Sequence, residues 1–451
     1  MKTRSLKIIL IVAAGLRLAL LAAAWNSPGR MTTPDSADYV ELANSLSGSA
    51  TFQRDQQPEI FRTPGYPVFM VFASVFGRHW LHAAAFGQIL VDVTLVYLTY
   101  LLGSVIYNSR TGLIAAGFQA IAAVSIVSSV RILSDSIFAF MLVLAVLMLA
   151  FHFRTNKLWP LMSAACIAGL SCYLRPVGLM FCGVGGVALL FRKRGLAKAA
   201  PFAAIVVAVV APWVVRNMWV ADYTGFSSFA SDSMFAYSAP AVLAQEKALD
   251  QIDAASQMAL AERAYLYSLR PNECTAGRMA SYRRREALKV IADHPATYAK
   301  IHFRGAMAVW LPGITDVMET LDLTIGQKGT LRVLNEEGLM AGVRHYFAGK
   351  AWLGLLCLPA VVILAIKYIL VITCAIGRLR LPMGWSGWLL LLTILSFALV
   401  GGPATTPRFR TPIEPLLSIV ASGGMALVLE WLARTGHGHK VVSEQSHPPA
   451  D

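Results

Sequence analysis

Residues 6–25, "LKIILIVAAGLRLALLAAAW", are followed closely by residues 32–48, "TTPDSADYVELANSLSG". The first stretch is long and apolar enough to cross the ~30 Å hydrocarbon layer of a bilayer as a helix. The second places two carboxylates, Asp35 and Asp38, immediately beyond it. What those acids do depends on the face to which the first helix delivers them.

The rest of the chain extends the membrane reading. Of its 451 residues 56% are hydrophobic and 14% charged, and the mean hydropathy is +0.58, a combination rare in soluble chains of this length. The net charge of +14 is not laid out as a Lys/Arg stripe interleaved with aromatics, so nucleic acid is set aside as a partner. Six cysteines, at 166, 172, 182, 274, 357 and 374, form no CxxC pair, and all but Cys274 fall in apolar segments, where they read as small core residues. His437 and His439 in "GHGHK" read as part of a polar tail. No Walker A, GxGxxG or GxSxG motif and no internal repeat occurs.

Apolar segments at 6–25, 80–103, 111–130, 137–153, 158–174, 177–191, 198–217, 352–375, 383–402 and 411–433 predict an all-α polytopic integral membrane protein, with ten spans of which the fourth to sixth are short. Lys and Arg accumulate in alternate short loops: Lys2, Arg4 and Lys7, Arg110, Arg154 and Lys157, "RKRGLAK" at 192–198, Arg378 and Arg380, then Arg434 and Lys440. That side is cytoplasmic by the positive-inside rule. The other side receives 26–79, the joints at Arg131 and Arg175, the long segment 218–350 and the loop 401–412. A cleaved signal peptide is the rival reading of the first segment, and it leaves 26–79 outside as well. The predicted layout is therefore a bundle at 1–217 with 26–79 as its first external loop, amphipathic or re-entrant helices at 218–350, C-terminal spans at 351–434 and a disordered cytoplasmic tail at 435–451.

Five arginines, Arg131, Arg175, Arg216, Arg408 and Arg410, lie on the wrong side for that rule. Headgroup anchoring accounts for any one of them; all five facing one layer, together with Arg62 and nearby acids, point to a phosphate-binding cavity. Asp35 and Asp38 also have two readings. Capping explains both, with Asp35 as N-cap, Asp38 at N3, and Gly48 ending a helix that buries Tyr39, Leu42, Ala43 and Leu46; a carboxylate kept ionised there would equally serve as a base. Arg17 and Asp92, deep in the first two spans, are predicted to pair.

These motifs, "PDSADYVELANSLSG", "FRTPGYPVFMVF", "ILSDSIFAFMLVLAV", "LRPVGL", "PWVVRN", "HPATYAKIHFRGAMAVWLP" and "PRFRTPIEPLLSIVASGG", run in the order found in the GT-C superfamily of membrane glycosyltransferases. The chain resembles in particular the dolichyl-phosphate-mannose-protein mannosyltransferase-like family 39 group, which includes the bacterial aminoarabinose transferases of lipid A. The resemblance implies a GT-C-like bundle of about 10–12 spans with external juxtamembrane helices. It also implies a catalytic Asp in the first external loop, at Asp35, and a sugar donor carried on a polyprenyl phosphate. Where many relatives carry two adjacent acids this chain has Asp35-Ser36, so the second acid's role and any dependence on a divalent metal stay open, and no metal ligand is assigned.

The chemistry suits that inventory. A carboxylate deprotonates the acceptor, and guanidinium groups stabilise the departing phosphate. Asp35 is assigned as general base, with Asp38 orienting the acceptor or assisting. Arg62, Arg216 and Arg408, then Arg410 and Arg175, are assigned to the donor phosphate. Tyr39, Tyr66 and Trp213 read either as sugar walls or as membrane-belt aromatics, Asp135 as a holder of one arginine, and Glu414 either as another such holder or as only a dipole partner. The predicted partners are the lipid-linked donor, membrane lipid, and an acceptor glycan, lipid or protein, at the periplasmic face of a bacterial inner membrane. A lipid-linked saccharide flippase, or an O-antigen polymerase or ligase using "RRR" at 283–285, are the alternatives.

Overall fold

The computed structural model describes residues 2–323, 333, 337–346, 351–379 and 384–444. It is helical nearly throughout; among the described residues the one sheet is a hairpin pairing Gln53–Arg54 with Gln57–Pro58. In chain order the helices are α1 (Lys2–Ala24), α2 (Pro34–Ser49), α3 (Gly65–Ser74), α4 (Trp80–Ile106), α5 (Ser109–Ala120), α6 (Ala123–Val130), α7 (Asp135–Thr155), α8 (Leu158–Cys172), α9 (Gly178–Leu190) and α10 (Gly195–Ala221). The middle segment folds as α11 (Phe229–Ser233), α12 (Ala239–Glu246), α13 (Gln251–Tyr267), α14 (Ala276–Asp293), α15 (Pro295–Ala306), α16 (Ile314–Thr320) and α17 (Leu339–Tyr346), and the chain closes with α18 (Ala351–Leu379), α19 (Trp385–Val400) and α20 (Glu414–Glu444).

Helices satisfy their own backbone groups, which is why the apolar segments of a membrane chain take this form. Among the described residues six helices, α1, α4, α7, α10, α18 and α20, are long and apolar enough to cross a bilayer, and the chain is a multi-pass membrane protein. The sequence suggested ten comparable spans. All ten segments are helical, but 111–130 is broken into α5 and α6 with a bend of 57°, giving at most a seventh span. Helices α8, α9 and α19, with 15, 13 and 16 residues, stay short. Helix α7, expected to be short, has 21 residues. The backbone of α20 runs on to Glu444, past the point where a disordered tail was expected; side chains from 435, those of His437 and His439 included, lie outside the described residues, as do 445–451 and Arg380.

The core centres on α7, whose Phe138, Leu142, Ala145, Val146 and Leu149 are fully buried at spacings that line one broad face of a helix. Helix α4 packs along it, and α5 comes so close to α4 that a side chain at Gly112 would meet the Tyr100 carbonyl at 2.6 Å. The expected pair across α1 and α4 is present: Arg17 Nε donates to Asp92 at 2.5 Å, with both side chains wholly buried. Arg17 also donates to the carbonyl of Ala120 at 3.0 Å, and Asp92 accepts from Ser125 at 3.0 Å. The strut therefore also holds the broken span, whose interrupted carbonyls need partners away from water.

Candidate active site at the rim of an apolar cavity

Helix α2 is capped by Thr33, not by Asp35. Thr33 has extended backbone, Pro34 takes the first helical position, and the Thr33 N–H donates to Ser36 Oγ at 2.8 Å to close a capping box. The helix passes Gly48 and ends at Ala50, whose φ is 53°. Ser36 Oγ donates to the Ile132 carbonyl at 2.8 Å, and the Ile132 N–H donates to the Met31 carbonyl at 2.7 Å, docking the start of α2 beside the start of α7. With the cap and Tyr39, Leu42 and Ala43 facing inward, the carboxylates of Asp35 and Asp38 are left, about one turn apart, for other partners.

Their shared partner is Arg62. Buried Glu59 accepts the N–H of Arg62 at 3.0 Å, fixing the loop that delivers it, and Gly65 donates to the Tyr173 carbonyl at 2.7 Å. A Cβ at Gly65 would stand 2.6 Å from that oxygen, so the "TPGYP" glycine is what lets this loop meet the joint carrying Arg175. Arg62 grips Asp38 through Nε and Nη2 at 3.0 and 2.9 Å and Asp35 through Nη2 at 2.8 Å, while its guanidinium lies over Tyr39 and Phe61. Arg408, from the 3-10 turn Pro407–Arg410, donates Nη2 to the other oxygen of Asp35 at 2.7 Å.

Partial burial alone would push the Asp35 carboxyl up; the charges and hydrogen bonds of Arg408 and Arg62 outweigh it and hold it down to about 2. Asp35 is thus an ionised carboxylate, one third exposed, clamped between two guanidiniums. Arg408 Nε is buried with no partner among the described residues. Burial would lower the proton affinity of Arg408, but Asp135, Asp35 and Asp316 more than restore it.

Beside the clamp lies a cavity of about 490 Å³, within the range of small-molecule sites. Arg62, Arg175 and Tyr39 line it on the clamp side, Tyr298 and His302 of α15 on another, and Phe397, Val400 and the 401–405 loop complete it with Leu179 and Met180 of α9. Leu179, Met180 and Val400 are also about two-fifths exposed at its margin. Arg175 pairs with Asp135, the role expected for that acid, and the guanidiniums of Arg175 and Arg408 each lie over the Phe409 ring, at 5.6 and 5.7 Å.

Other residues assigned from the sequence sit elsewhere. Arg216 donates to the carbonyls of Glu59 and Phe52 at 2.7 Å each and lies over Trp213, bracing the hairpin rather than joining the clamp. Arg410 is buried against Glu414 and the carbonyls of Val309 and Leu311, and Glu414 also holds Lys367, so it is an ion-pair centre and not merely a dipole partner. Arg131 pairs with Asp316 and Glu319. Tyr66 is fully buried, donating to Gln88 at 2.5 Å, and does not line the cavity. In the "RRR" run Arg283 is tied to Asp232 and Glu262.

Two residues at or near the clamp were missed, and one buried cation away from it. Arg54 binds the free oxygen of Asp38 at 2.7 Å; a lone arginine in a polar loop carries no signal. Asp316, pushed up by burial against the pull of Arg131 and Arg408, stands near the clamp from a segment 281 positions after Asp35 in the sequence, which spacing cannot reveal. Lys367 did carry a signal, being a lysine inside an apolar span. As for a metal, Asp35 and Asp38 are already met by three arginines, the adjacent position is the capping Ser36, and no group of three acid, His or Cys side chains converges among the described residues. This set does not suit a divalent cation.

No family model and no curated protein matches the chain. Solved structures do. The archaeal oligosaccharyltransferase AglB from Archaeoglobus fulgidus, in complex with an inhibitory peptide and a dolichol-phosphate, aligns with TM-score 0.54 and 14% identity over 99% of this chain and 52% of its own. The apo form of the oligosaccharyltransferase from that organism gives TM-score 0.55 and 13% identity over 100% and 53%. ArnT from Cupriavidus metallidurans bound to undecaprenyl phosphate gives a looser 0.46 at 12% identity, over 91% and 59%. The chain spans about half the length of the oligosaccharyltransferases it matches. Identity this low speaks for the fold alone, which this chain shares with the oligosaccharyltransferases over about half of their length.

Proposed function

We propose that the protein is a glycosyltransferase of the mannosyltransferase-like, aminoarabinose-transferase-like kind. It moves a sugar from a polyprenyl-phosphate-linked donor to an acceptor glycan, lipid or protein at the periplasmic face of a bacterial inner membrane. The observation that carries this reading is the clamp itself: one ionised, reachable carboxylate between two arginines, beside an apolar cavity lined by Arg62 of the clamp and by Arg175. The oligosaccharyltransferase of similar fold was solved with a dolichol-phosphate and an inhibitory peptide, and a lipid phosphate is the ligand that suits the arginines here.

The reaction balances with these groups. The acceptor's O–H or N–H attacks C1 of the sugar; Asp35 takes the proton; the bond from C1 to the phosphate oxygen breaks, and its electron pair leaves with the phosphate. Arg62, Arg408 and Arg175 meet that charge, and the buried, unpartnered Nε of Arg408 is a donor in reserve for it. With both arginines on it Asp35 is a weak base. A phosphate that draws Arg62 and Arg408 away removes the charges that hold the carboxyl down and leaves the burial that pushes it up, so donor binding turns the base on. The isoprenoid tail would leave past Leu179, Met180 and Val400 into lipid.

The test is transfer of radiolabelled sugar from a panel of synthetic polyprenyl-phosphate sugars to membrane-extract acceptors by the purified protein and by Asp35→Asn. Transfer that is lost in a folded, donor-binding Asp35→Asn variant supports the proposal. Lipid movement across liposomes without transfer from any donor would replace it with a flippase.

A further inference from the structure

Away from the clamp, where α18 meets α20 beside the break between α5 and α6, three ionisable side chains are buried together. Lys367 is 1% exposed, Arg410 4% and Glu414 2%. The two oxygens of Glu414 are divided between them, one accepting from Lys367 Nζ and the other from Arg410 Nε at 2.7 Å. The remaining bonds go to neutral atoms: Arg410 Nη1 to the carbonyls of Val309 and Leu311 and the hydroxyl of Tyr368, and Lys367 to Ser418 Oγ at 3.1 Å.

Two cations therefore share one carboxylate. The carboxylates next nearest along this network are committed elsewhere, Asp92 to Arg17, and Asp316 and Glu319 to Arg131. Glu414 is itself the first residue of α20, so the positive end of that helix adds to the imbalance. An uncompensated charge inside a membrane protein is costly and is met by a counter-charge or by loss of the charge. All three side chains line a cavity of about 30 Å³ whose other walls are apolar, among them Ala122, Ile314, Val317 and Leu364. Room for one water takes roughly 10–15 Å³, and a chloride ion, with about twice the volume of a water, still fits within about 30 Å³.

We propose that this cavity is a binding site for a small monovalent anion, chloride in ordinary salt, which supplies the second negative charge to Lys367 and Arg410. The site bears on the clamp through the chain: Arg410 fastens the turn Pro407–Arg410 to Val309 and Leu311, and Arg408 hangs from the same turn. The anion is thus part of the footing on which Arg408 reaches Asp35.

The experiment uses the full-length protein in detergent, first in gluconate and then titrated with sodium chloride or bromide at constant ionic strength, with thermal unfolding as one readout and bromide anomalous diffraction as the other. The expected result is a saturable rise in unfolding midpoint with either halide and a bromide peak within contact of Lys367 Nζ. Lys367→Met, which leaves the neutral pair of Arg410 and Glu414, loses the halide dependence. A midpoint indifferent to halide together with no bromide peak at Lys367 overturns the proposal and makes Lys367 the neutral member. Halide dependence that survives in Lys367→Met overturns it too, by placing the anion elsewhere. Should Lys367→Met fail to fold, the bromide peak in the wild type decides.

Discussion

The clamp at Asp35 and the triad at Glu414 are made of the same parts, a carboxylate held by two cations, and they differ in where they sit. At Asp35 the carboxylate is 34% exposed and its arginines 11% and 18%; at Glu414 every side chain is 4% exposed or less. A part-exposed pair contributes little to stability because water and salt compete for both ends, so its arginines can be handed to an incoming phosphate at small cost. A buried set cannot open without stranding charge. One arrangement is therefore suited to exchange and the other to anchorage, although a list of arginines near the external ends of spans would not separate them.

Asp35→Asn gives the largest expected effect and tests the first half of that contrast. Sugar transfer should fall by about 10²–10⁴-fold, the usual contribution of a positioned base, while the unfolding midpoint falls only slightly, far less than on breaking a buried pair. A variant that loses its midpoint along with its activity would move Asp35 into the anchoring class.

Glu414→Gln reverses the pattern. Removing the charge leaves Lys367 and Arg410 buried without their counter-ion, and stability should fall by about 3–5 kcal/mol. Asp92→Asn should behave likewise, since it strands Arg17. Exchanging that pair, Arg17→Asp with Asp92→Arg, should cost less than either single neutral change, because opposite charges still meet. Denaturation in detergent micelles reads all four, and equal losses for the swap and the singles would remove the strut.

How far these roles could be read in advance differs between the two regions. The helical, multi-pass character followed from apolar run lengths, and the pairing of Arg17 with Asp92 followed from the rarity of charge at such depth. The break at Ala120–Ala122 was invisible because its residues are as apolar as their neighbours. At the clamp, Asp35, Asp38, Arg62 and Arg408 were all named, yet Arg216 and Arg410 were grouped with them. Composition and side of the membrane were the only criteria, and both residues meet them; what removes them is that their donors are spent on carbonyls and, for Arg410, on Glu414. The cap was misplaced by two residues because Ser36 offered a capping box that Asp35 did not need to complete.

Arg408→Lys sharpens the exchange argument further. Lysine keeps the charge and loses the planar fork that serves Asp35 and a phosphate at once. Loss of one charge-assisted hydrogen bond, about 1.5 kcal/mol or more, predicts a donor KM raised roughly tenfold with a smaller change in the unfolding midpoint. Arg216→Lys, which still reaches toward the hairpin carbonyls, should leave donor KM alone; a similar rise there would return Arg216 to the phosphate site.

The smallest effect expected is the pH dependence of the clamp's own contribution to stability. The Asp35 carboxyl stands at about 2 in the folded protein against about 3.9 in an unfolded chain. A depressed carboxyl stabilises the fold above the unfolded value and loses that contribution as pH falls from about 4 to about 2. The difference in midpoint between wild type and Asp35→Asn should therefore be present at pH 5, shrink with added salt and fade as pH drops through about 2; a difference unchanged across that window would mean that charge is not what binds Asp35 to its arginines. The same titration bears on exchange when read in turnover. The acid limb of kcat/KM reports the free enzyme and that of kcat the donor complex. If phosphate takes Arg62 and Arg408 from Asp35, the limb in kcat lies at the higher pH of the two; coincident limbs would mean that the arginines never leave the carboxylate and that the clamp is a second anchor.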